Sequence, residues 1–353
     1  MKDFYIIGLM SGTSIDGLDL VYVKFSFENT WNFKIICSKT YEYDDEWQDI
    51  LKTLFTRDIK SINLIDEKYT KLISDYILQF IDQFNISRID FVSSHGHTAL
   101  HDPSKHFTYQ IGNMPELSNY IDLKVICDFR AQDVKYGGQG APLVPVGEKY
   151  LFSEYKTLLN LGGFANITKR SKNNIIAYDI CPVNIVFNHL CKSIKQKFDD
   201  KGKAAALGKI NMDLLTHLQS LDYYKLDPPK SLGLEWVNNY VDPILDKFFR
   251  LSTIDLLHTF SNHFAIQIAK NIEDNQKVLI TGGGAYNDFL IQNIRNLSTC
   301  SIDIPNQTII DYKEALIFAF LGVLRDLNIN NCYSSVTGAF KSHSSGKIIM
   351  PKY

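Results

Sequence analysis

Apolar residues gather at 4–10, 18–25 and 33–40 in short runs broken by polar residues, the pattern of strands. A helical period follows over 63–84, with Leu64, Ile65, Tyr69, Leu72, Ile73, Tyr76, Ile77, Phe80 and Phe84 on one face. Short strands are expected again at 89–93 and 124–128. The segment RAQDVKYGGQGAPLVP then gives the densest set of backbone breakers, Gly137, Gly138, Gly140, Pro142 and Pro145, which predicts an interdomain hinge. Beyond it the rhythm restarts. Strands are expected at 157–161, 167–170 and 175–180, and helices near 183–198, 235–250 and 254–272. A strand at 278–282 leads to helices at 287–296 and 314–324. The return of a strand–glycine turn–strand element one domain length after the first predicts a duplicated α/β unit.

Composition sharpens this picture by exclusion. At 353 residues the chain is about twice the usual domain size of ~150 residues. Its 37 basic and 39 acidic residues leave a net charge of −2 without a long run of one sign. Nucleic acid and an anionic membrane surface are therefore not expected partners, and a small molecule is. The N-terminal apolar run lacks the flanks of a signal peptide. Ala315–Leu324, the longest apolar stretch, is too short to span a bilayer, so a cytoplasmic protein is expected. The six cysteines show no C-x-x-C spacing, which argues against a zinc knuckle or redox pair and for reduced, mostly buried thiols.

Candidate chemistry begins at GLMSGTSIDGLD (8–19), where a turn rich in Ser, Gly, Thr and Asp joins two strands. Gly12 and Gly17 would let the turn visit positive φ, and its N–H groups with the hydroxyls of Ser11, Thr13 and Ser14 would converge on an anion. An ordinary hairpin turn uses the same residue types. The common nucleotide-binding loops feed a helix, whereas this one feeds a strand. Further glycine turns lie at 161–163 and 282–284, the last in a strand–glycine–helix layout that offers backbone N–H groups.

Together with SSHGHTALH (93–101), DFRAQDVKYGGQGAPLVP (128–145), NLGGFANI (160–167), TGGGAYN (281–287) and KEALIFAFL (313–321), the first turn resembles successive motifs of the anhydro-N-acetylmuramic acid kinases. The resemblance implies an α/β fold of two similar ribonuclease H-like (actin-like ATPase) domains around a central cleft. The N-terminal domain would cover 1–136 and the C-terminal domain 137–353, with the extreme C-terminus a candidate to pack back on the first. It further implies ATP-dependent conversion of 1,6-anhydro-N-acetylmuramic acid and water to N-acetylmuramic acid 6-phosphate in peptidoglycan recycling. A homodimer is compatible with it.

Carried over by motif, Gly12, Thr13, Ser14, Ile15, Asp16, Gly17, Leu18 and Asp19 would cradle the ATP phosphates. Gly162 and Gly163 would form the second phosphate turn, and Gly282, Gly283 and Gly284 would lie near the adenosine. Thr98, Arg130 and Glu314 would bind the sugar, with Arg130 suited to the lactyl carboxylate. For Arg130 a salt bridge to Asp128 or Asp133 is the plain alternative, and for Glu314 a helix-end carboxylate.

Asp179 would be the base that activates water. The string after it is ICPVN, where the family has threonine-glycine-proline-glycine-asparagine, and the added side chains of Cys181 and Val183 would narrow the sugar pocket or move the turn. A helix beginning near Pro182 would lower the pKa of Asp179. Mg2+ is expected with ATP. Its ligands are left unassigned, because Met10 and Asn160 stand where the wider superfamily carries aspartates. Two alternatives remain at this point: a kinase for another amino sugar or hexose, and a metal-dependent hydrolase built on His95 and His97, with His101 and His106 nearby.

Overall fold

In the computed structural model, which describes residues 2–12, 15–171, 175–228 and 230–352, the first apolar runs form strands β1 (Lys2–Ser11), β2 (Gly17–Phe27) and β3 (Trp31–Glu42). They are followed by β4 (Phe91–Ser94), β5 (His97–Asp102), β6 (Phe107–Ile111) and β7 (Val125–Cys127). The same succession returns as β8 (Thr157–Leu161), β9 (Phe164–Arg170), β10 (Ile175–Pro182), β11 (Lys277–Thr281) and β12 (Ser301–Asp303), and the chain closes with β13 (Lys347–Ile349). The chain divides into two compact units. One comprises Met1–Ser153 with Tyr312–Tyr353, the other Glu154–Asp311.

The first unit holds a sheet of order β13-β7-β4-β1-β2-β3, in which β1, β2 and β3 form an antiparallel meander and β4 and β7 add in parallel. β1 reads as a continuous apolar run because both faces of the sheet are covered. The helix Ile59–Gln83 covers one face. Asp58 caps it by accepting from the Lys60 and Ser61 amides, and Ile62, Tyr69, Ile73, Ile77 and Phe80 are buried. Leu64, expected on that face, is instead exposed. The other face receives the apolar helix within Gln307–Asp326. Gly8 admits it, since a Cβ there would meet the Ala315 carbonyl at 2.5 Å, and Ser93 donates its hydroxyl to the Phe318 carbonyl.

The segment expected to be a hinge is fastened into this unit. Gly140 donates its N–H to Asp133 Oδ2 at 2.8 Å, Gly138 donates to the Asp133 carbonyl, and Gln139 donates to the Thr337 carbonyl. Residues 137–153 therefore belong with the first unit, as do Tyr312–Tyr353, and the division between units falls after Ser153 rather than after residue 136. Glycines that break helices and strands also build tight hydrogen-bonded turns, and composition does not separate the two uses.

The second unit repeats the plan with order β10-β9-β8-β11-β12: β8, β9 and β10 form the meander, and β11 and β12 add in parallel. Its core collects Leu159, Ile167, Ile180, Phe187 and Ile280 from strands and a short helix, with Leu257, Phe260 and Phe264 from the helix Thr253–Asn271. Two expected helices are shorter than their apolar pattern. That at 183–198 gives Asn184–Cys191 and a 3-10 turn ending at the left-handed Lys195, and that at 235–250 is interrupted by a π-helical turn at Val237–Val241 just before Pro243. Proline removes a helical donor, so the turn before it rearranges. Among the described residues no helix is long and apolar enough to cross a membrane.

Candidate functional site

In the first unit, the turn between β1 and β2 leaves the sheet at Gly12, and the Ile15 N–H returns to the Gly12 carbonyl with Ile15 at φ 56. Among the described residues of the turn the left-handed one is Ile15, and Gly17 serves another purpose. A Cβ on Gly17 would stand 2.6 Å from the Tyr41 carbonyl, so glycine lets β3 approach β2. Thr13 and Ser14 lie outside the described residues. Ser11 does not offer its hydroxyl to an anion as expected. It is buried, hydrogen-bonded to His97 Nδ1 at 2.9 Å, and accepts from the Tyr43 hydroxyl. Asp19 pairs with Met10 across the sheet and accepts from Thr40 Oγ1 at 2.6 Å.

Arg130 makes neither of the salt bridges considered for it. Asp128 binds Lys347, and Asp133 is taken up by Gly140, Cys332 and Thr337. Instead Arg130 donates from Nε to His95 Nε2 at 2.8 Å and from Nη1 to the Gly140 carbonyl at 2.6 Å. This fixes the tautomer of His95: Nε2 accepts, and Nδ1–H donates to the Gly96 carbonyl. Burial and the neighbouring guanidinium hold the His95 pKa well below its ordinary value, so the ring is neutral. Nη2 of Arg130 has no hydrogen-bond partner among the described residues. Glu314 adds an attractive charge nearby; burial raises its pKa, while Lys313 and Arg130 lower it. Arg130 and Glu314 thus share one electrostatic neighbourhood. Thr98 stands half-buried on β5 opposite Gln110, and nothing among the described residues pairs it with either.

The histidines do not gather into a metal centre. His95 binds Arg130, His97 binds Ser11, His101 binds Thr108, and His106 binds the Val134 carbonyl. His95 lies past the end of β4 and His97 begins β5, so the strand alternation that would align them is absent. Among the described residues the one group of three ligand-type side chains is Asp133, Cys332 and His343.

In the second unit the turn between β8 and β9 is Gly162-Gly163, and among the described residues an alanine Cβ at Gly163 would meet nothing within 4 Å. The carbonyls of this turn receive the start of the next helix. Val183 and Ile185 donate to the Gly163 carbonyl and Asn184 to the Gly162 carbonyl, while Asn184 Nδ2 donates to the Leu161 carbonyl. The third glycine turn packs on the same place. Gly282 has φ 81, and a Cβ there would lie 2.3 Å from Asn160 Oδ1, as one on Gly284 would lie 2.7 Å from Leu161 Cβ. Residues 160–163, 183–184 and 282–284 therefore form one glycine-lined cluster.

Asp179 lies near the end of β10, just before a register shift, in a cross-strand row with Asn166 of β9 and Asn160 of β8. Its Oδ2 accepts from the Leu232 amide at 2.9 Å, and its Oδ1 has no hydrogen-bond partner among the described residues. Burial raises its pKa, and the Leu232 amide offsets this in part. The lowering expected from a helix N-terminus does not occur. The amides that begin that helix are spent on the Gly162 and Gly163 carbonyls. Cys181 and Val183 also depart from expectation. Both side chains are fully buried in the core of the second unit, so they fill its interior.

The sequence did not point to Asn166 or to the contact by which His95 holds Arg130. For Asn166 the available signal was period: in NLGGFANI it stands across the turn from Asn160 as a hairpin partner.

The chain matches the family model described as anhydro-N-acetylmuramic acid kinase over residues 4–351. It is 33% identical over 359 residues to the anhydro-N-acetylmuramic acid kinase of Shewanella sp. (strain W3-18-1), covering 96% of each chain. It is 33% identical over 378 residues to that of Clostridioides difficile (strain 630), covering 98% of this chain and 97% of the relative. Among solved structures, component A of the Acidaminococcus fermentans (R)-2-hydroxyglutaryl-CoA dehydratase aligns with a TM-score of 0.48 at 11% identity, covering 90% of this chain and 96% of that one. A family match that spans both units, with the glycine turns and Asp179 within it, decides the assignment: the chain belongs to the anhydro-N-acetylmuramic acid kinase family.

Proposed function

We propose that this chain uses ATP to convert 1,6-anhydro-N-acetylmuramic acid and water into N-acetylmuramic acid 6-phosphate, acting in the cytoplasm in peptidoglycan recycling. The observation that carries the reading is Asp179, a carboxylate anchored through one oxygen, open at the other and made more basic by burial. Water attacks the anomeric carbon on the face opposite the bridge oxygen, as in inverting glycosidases, and gives its proton to Asp179 Oδ1. The C1–O6 bond breaks, O6 bonds to the γ-phosphorus, and the bond from that phosphorus to the β–γ bridging oxygen breaks to release ADP. The proton passes from Asp179 to solvent.

Positioning falls to the glycine turns. The first turn, Gly12–Asp19, and the Gly162-Gly163 turn are assigned to the phosphates, and Gly282–Gly284 to the adenosine. Arg130, its Nε held by His95, presents Nη2 to the lactyl carboxylate, and Glu314 accepts from a sugar hydroxyl. Mg2+ fits as an ion carried largely by phosphate oxygens and water. When bound it offsets the charge of the γ-phosphoryl group.

The test is ADP release from ATP with ring-closed anhydro sugars and their opened counterparts, each with and without the lactyl group. Turnover of the ring-closed lactyl sugar is expected. Phosphorylation of opened sugars alone would eliminate coupled hydrolysis.

A further inference from the structure

The group Asp133, Cys332 and His343 lies in the first unit, next to the Gly140 turn that holds Arg130. Cys332 and His343 face each other across an isolated antiparallel bridge, with the amide of each donating to the carbonyl of the other at 3.1 and 3.0 Å. Residues directly opposite across such a bridge hold their side chains close together. Asp133 enters from the short helix Ala131–Lys135. All three are buried, and their ligand atoms lie within 4.8 Å of one another.

Hydrogen bonding accounts for only part of this cluster. The Cys332 thiol and Thr337 hydroxyl donate to Asp133 Oδ1 at 3.0 and 2.7 Å, and Gly140 donates to Oδ2. His343 binds the Lys341 carbonyl through Nδ1, which makes Nδ1 the protonated nitrogen and leaves Nε2 a lone pair. That Nε2 is buried with no hydrogen-bond partner and lies 3.8 Å from Asp133 Oδ1. A neutral ring in this position leaves an orphaned buried acceptor facing a carboxylate, a costly arrangement that a second proton or a bound cation relieves.

We propose that Asp133, Cys332 and His343 bind a zinc ion that pins the C-terminal segment to the first unit. One imidazole nitrogen, one sulfur and one carboxylate oxygen supply three of zinc's four ligands, a water completes the tetrahedron, and an aspartate with a thiolate balances the dication. Binding replaces the S–H hydrogen bond by a zinc–sulfur bond, releases the thiol proton to solvent and gives Nε2 its missing partner. The ligands are far apart in sequence, and the bridge and the Gly140–Asp133 turn bring them together before any metal arrives. The role is structural: the site lies beside Arg130, which donates to the Gly140 carbonyl, and no step of phosphoryl transfer passes through the ion.

The test uses the full chain, freed of metal by chelation and then titrated with Zn2+ and separately with Co2+. One equivalent of zinc per chain is expected, with a thiolate-to-cobalt charge-transfer band and the strong visible bands of four-coordinate cobalt. His343→Gln, which keeps size and polarity, should lose saturable binding, and Cys332→Ser should lose the charge-transfer band. Zinc should raise the melting temperature of the parent chain by roughly 5 °C and leave His343→Gln unmoved. Absence of saturable binding by the parent, or equal binding by His343→Gln, would overturn the site and leave a hydrogen-bonded knot in its place. Kinase assays on the same samples keep this outcome separate from the catalytic reading.

Discussion

In the first unit the turn between β1 and β2 is built into the fold. Gly17 is required by the Tyr41 carbonyl, the Asp16 carbonyl receives the Tyr43 amide, Asp19 is tied to Thr40, and Ser11 is buried against His97 and Tyr43. In the second unit the matching turn between β8 and β9 is two glycines, and at Gly163 no atom of the described residues stands where a side chain would go. The strand plan is shared. What differs is whether glycine serves the protein's own packing or leaves backbone open to something else. The buried carboxylates divide in the same way. Asp66 in the first unit has its pKa raised by burial and is saturated by the Gly112 amide and the Tyr109 and Thr70 hydroxyls, whereas Asp179 keeps one oxygen free. Burial alone does not mark a working residue; burial with an unused valence does.

The strongest way to break this comparison is Asp179→Asn, which should lower kcat by about 10²–10⁴-fold, the range of a lost general base, with ATP binding retained. Isothermal titration with a nonhydrolysable ATP analogue and ADP-release kinetics separate the two. The pKa of Asp179 is raised on folding, so the folded state binds more protons than the unfolded state between the unfolded and folded values. Stability therefore falls as pH rises through that window. The neutral variant should melt no lower than the parent at pH 7, and the acid limb of kcat/KM in the parent should lie above the ordinary aspartate range. A clear drop in melting temperature would recast Asp179 as a second Asp66.

The converse substitution, Asp66→Ala, should cost about 3 kcal/mol in urea unfolding, because it strands a buried amide and two hydroxyls. Turnover per folded molecule should hold. Next in size, Gly17→Ala should destabilise by about 2 kcal/mol, since its Cβ meets backbone that cannot yield cheaply. Gly163→Ala is the smallest change by stability, within about 0.5 kcal/mol, because open space receives the methyl. Its KM for ATP should nevertheless rise. An unchanged KM would mean that the open turn faces no phosphate.

Much of the fold was legible from period alone: the meander at 4–40, its return at 157–180, and the long helix reading on Tyr69, Ile73, Ile77 and Phe80. The hinge was misread because the Gly137–Pro145 cluster is a breaker by composition and a fastened turn by hydrogen bonding, and the fastening comes from Asp133 and Thr337. The glycine turns and Asp179 were legible as motifs, but the pKa direction of Asp179 was not. It turns on which carbonyls the amides at 183–185 choose, a tertiary fact. Cys181 and Val183 looked like intrusions into a pocket because sequence does not show which side of β10 they occupy near a register shift. The Asp133–Cys332–His343 group had no local signature at all.

The amide bonds from Val183, Asn184 and Ile185 to the Gly162-Gly163 turn carry one more consequence. They bind the turn to the strand that carries Asp179, so the chain from 179 to 184 behaves as a strut of fixed length. Its count is fixed by these bonds, and Cys181 and Val183 within it are held to buried, core-filling side chains. An inserted or deleted residue there would shift the base along the sheet while leaving the turn where it was.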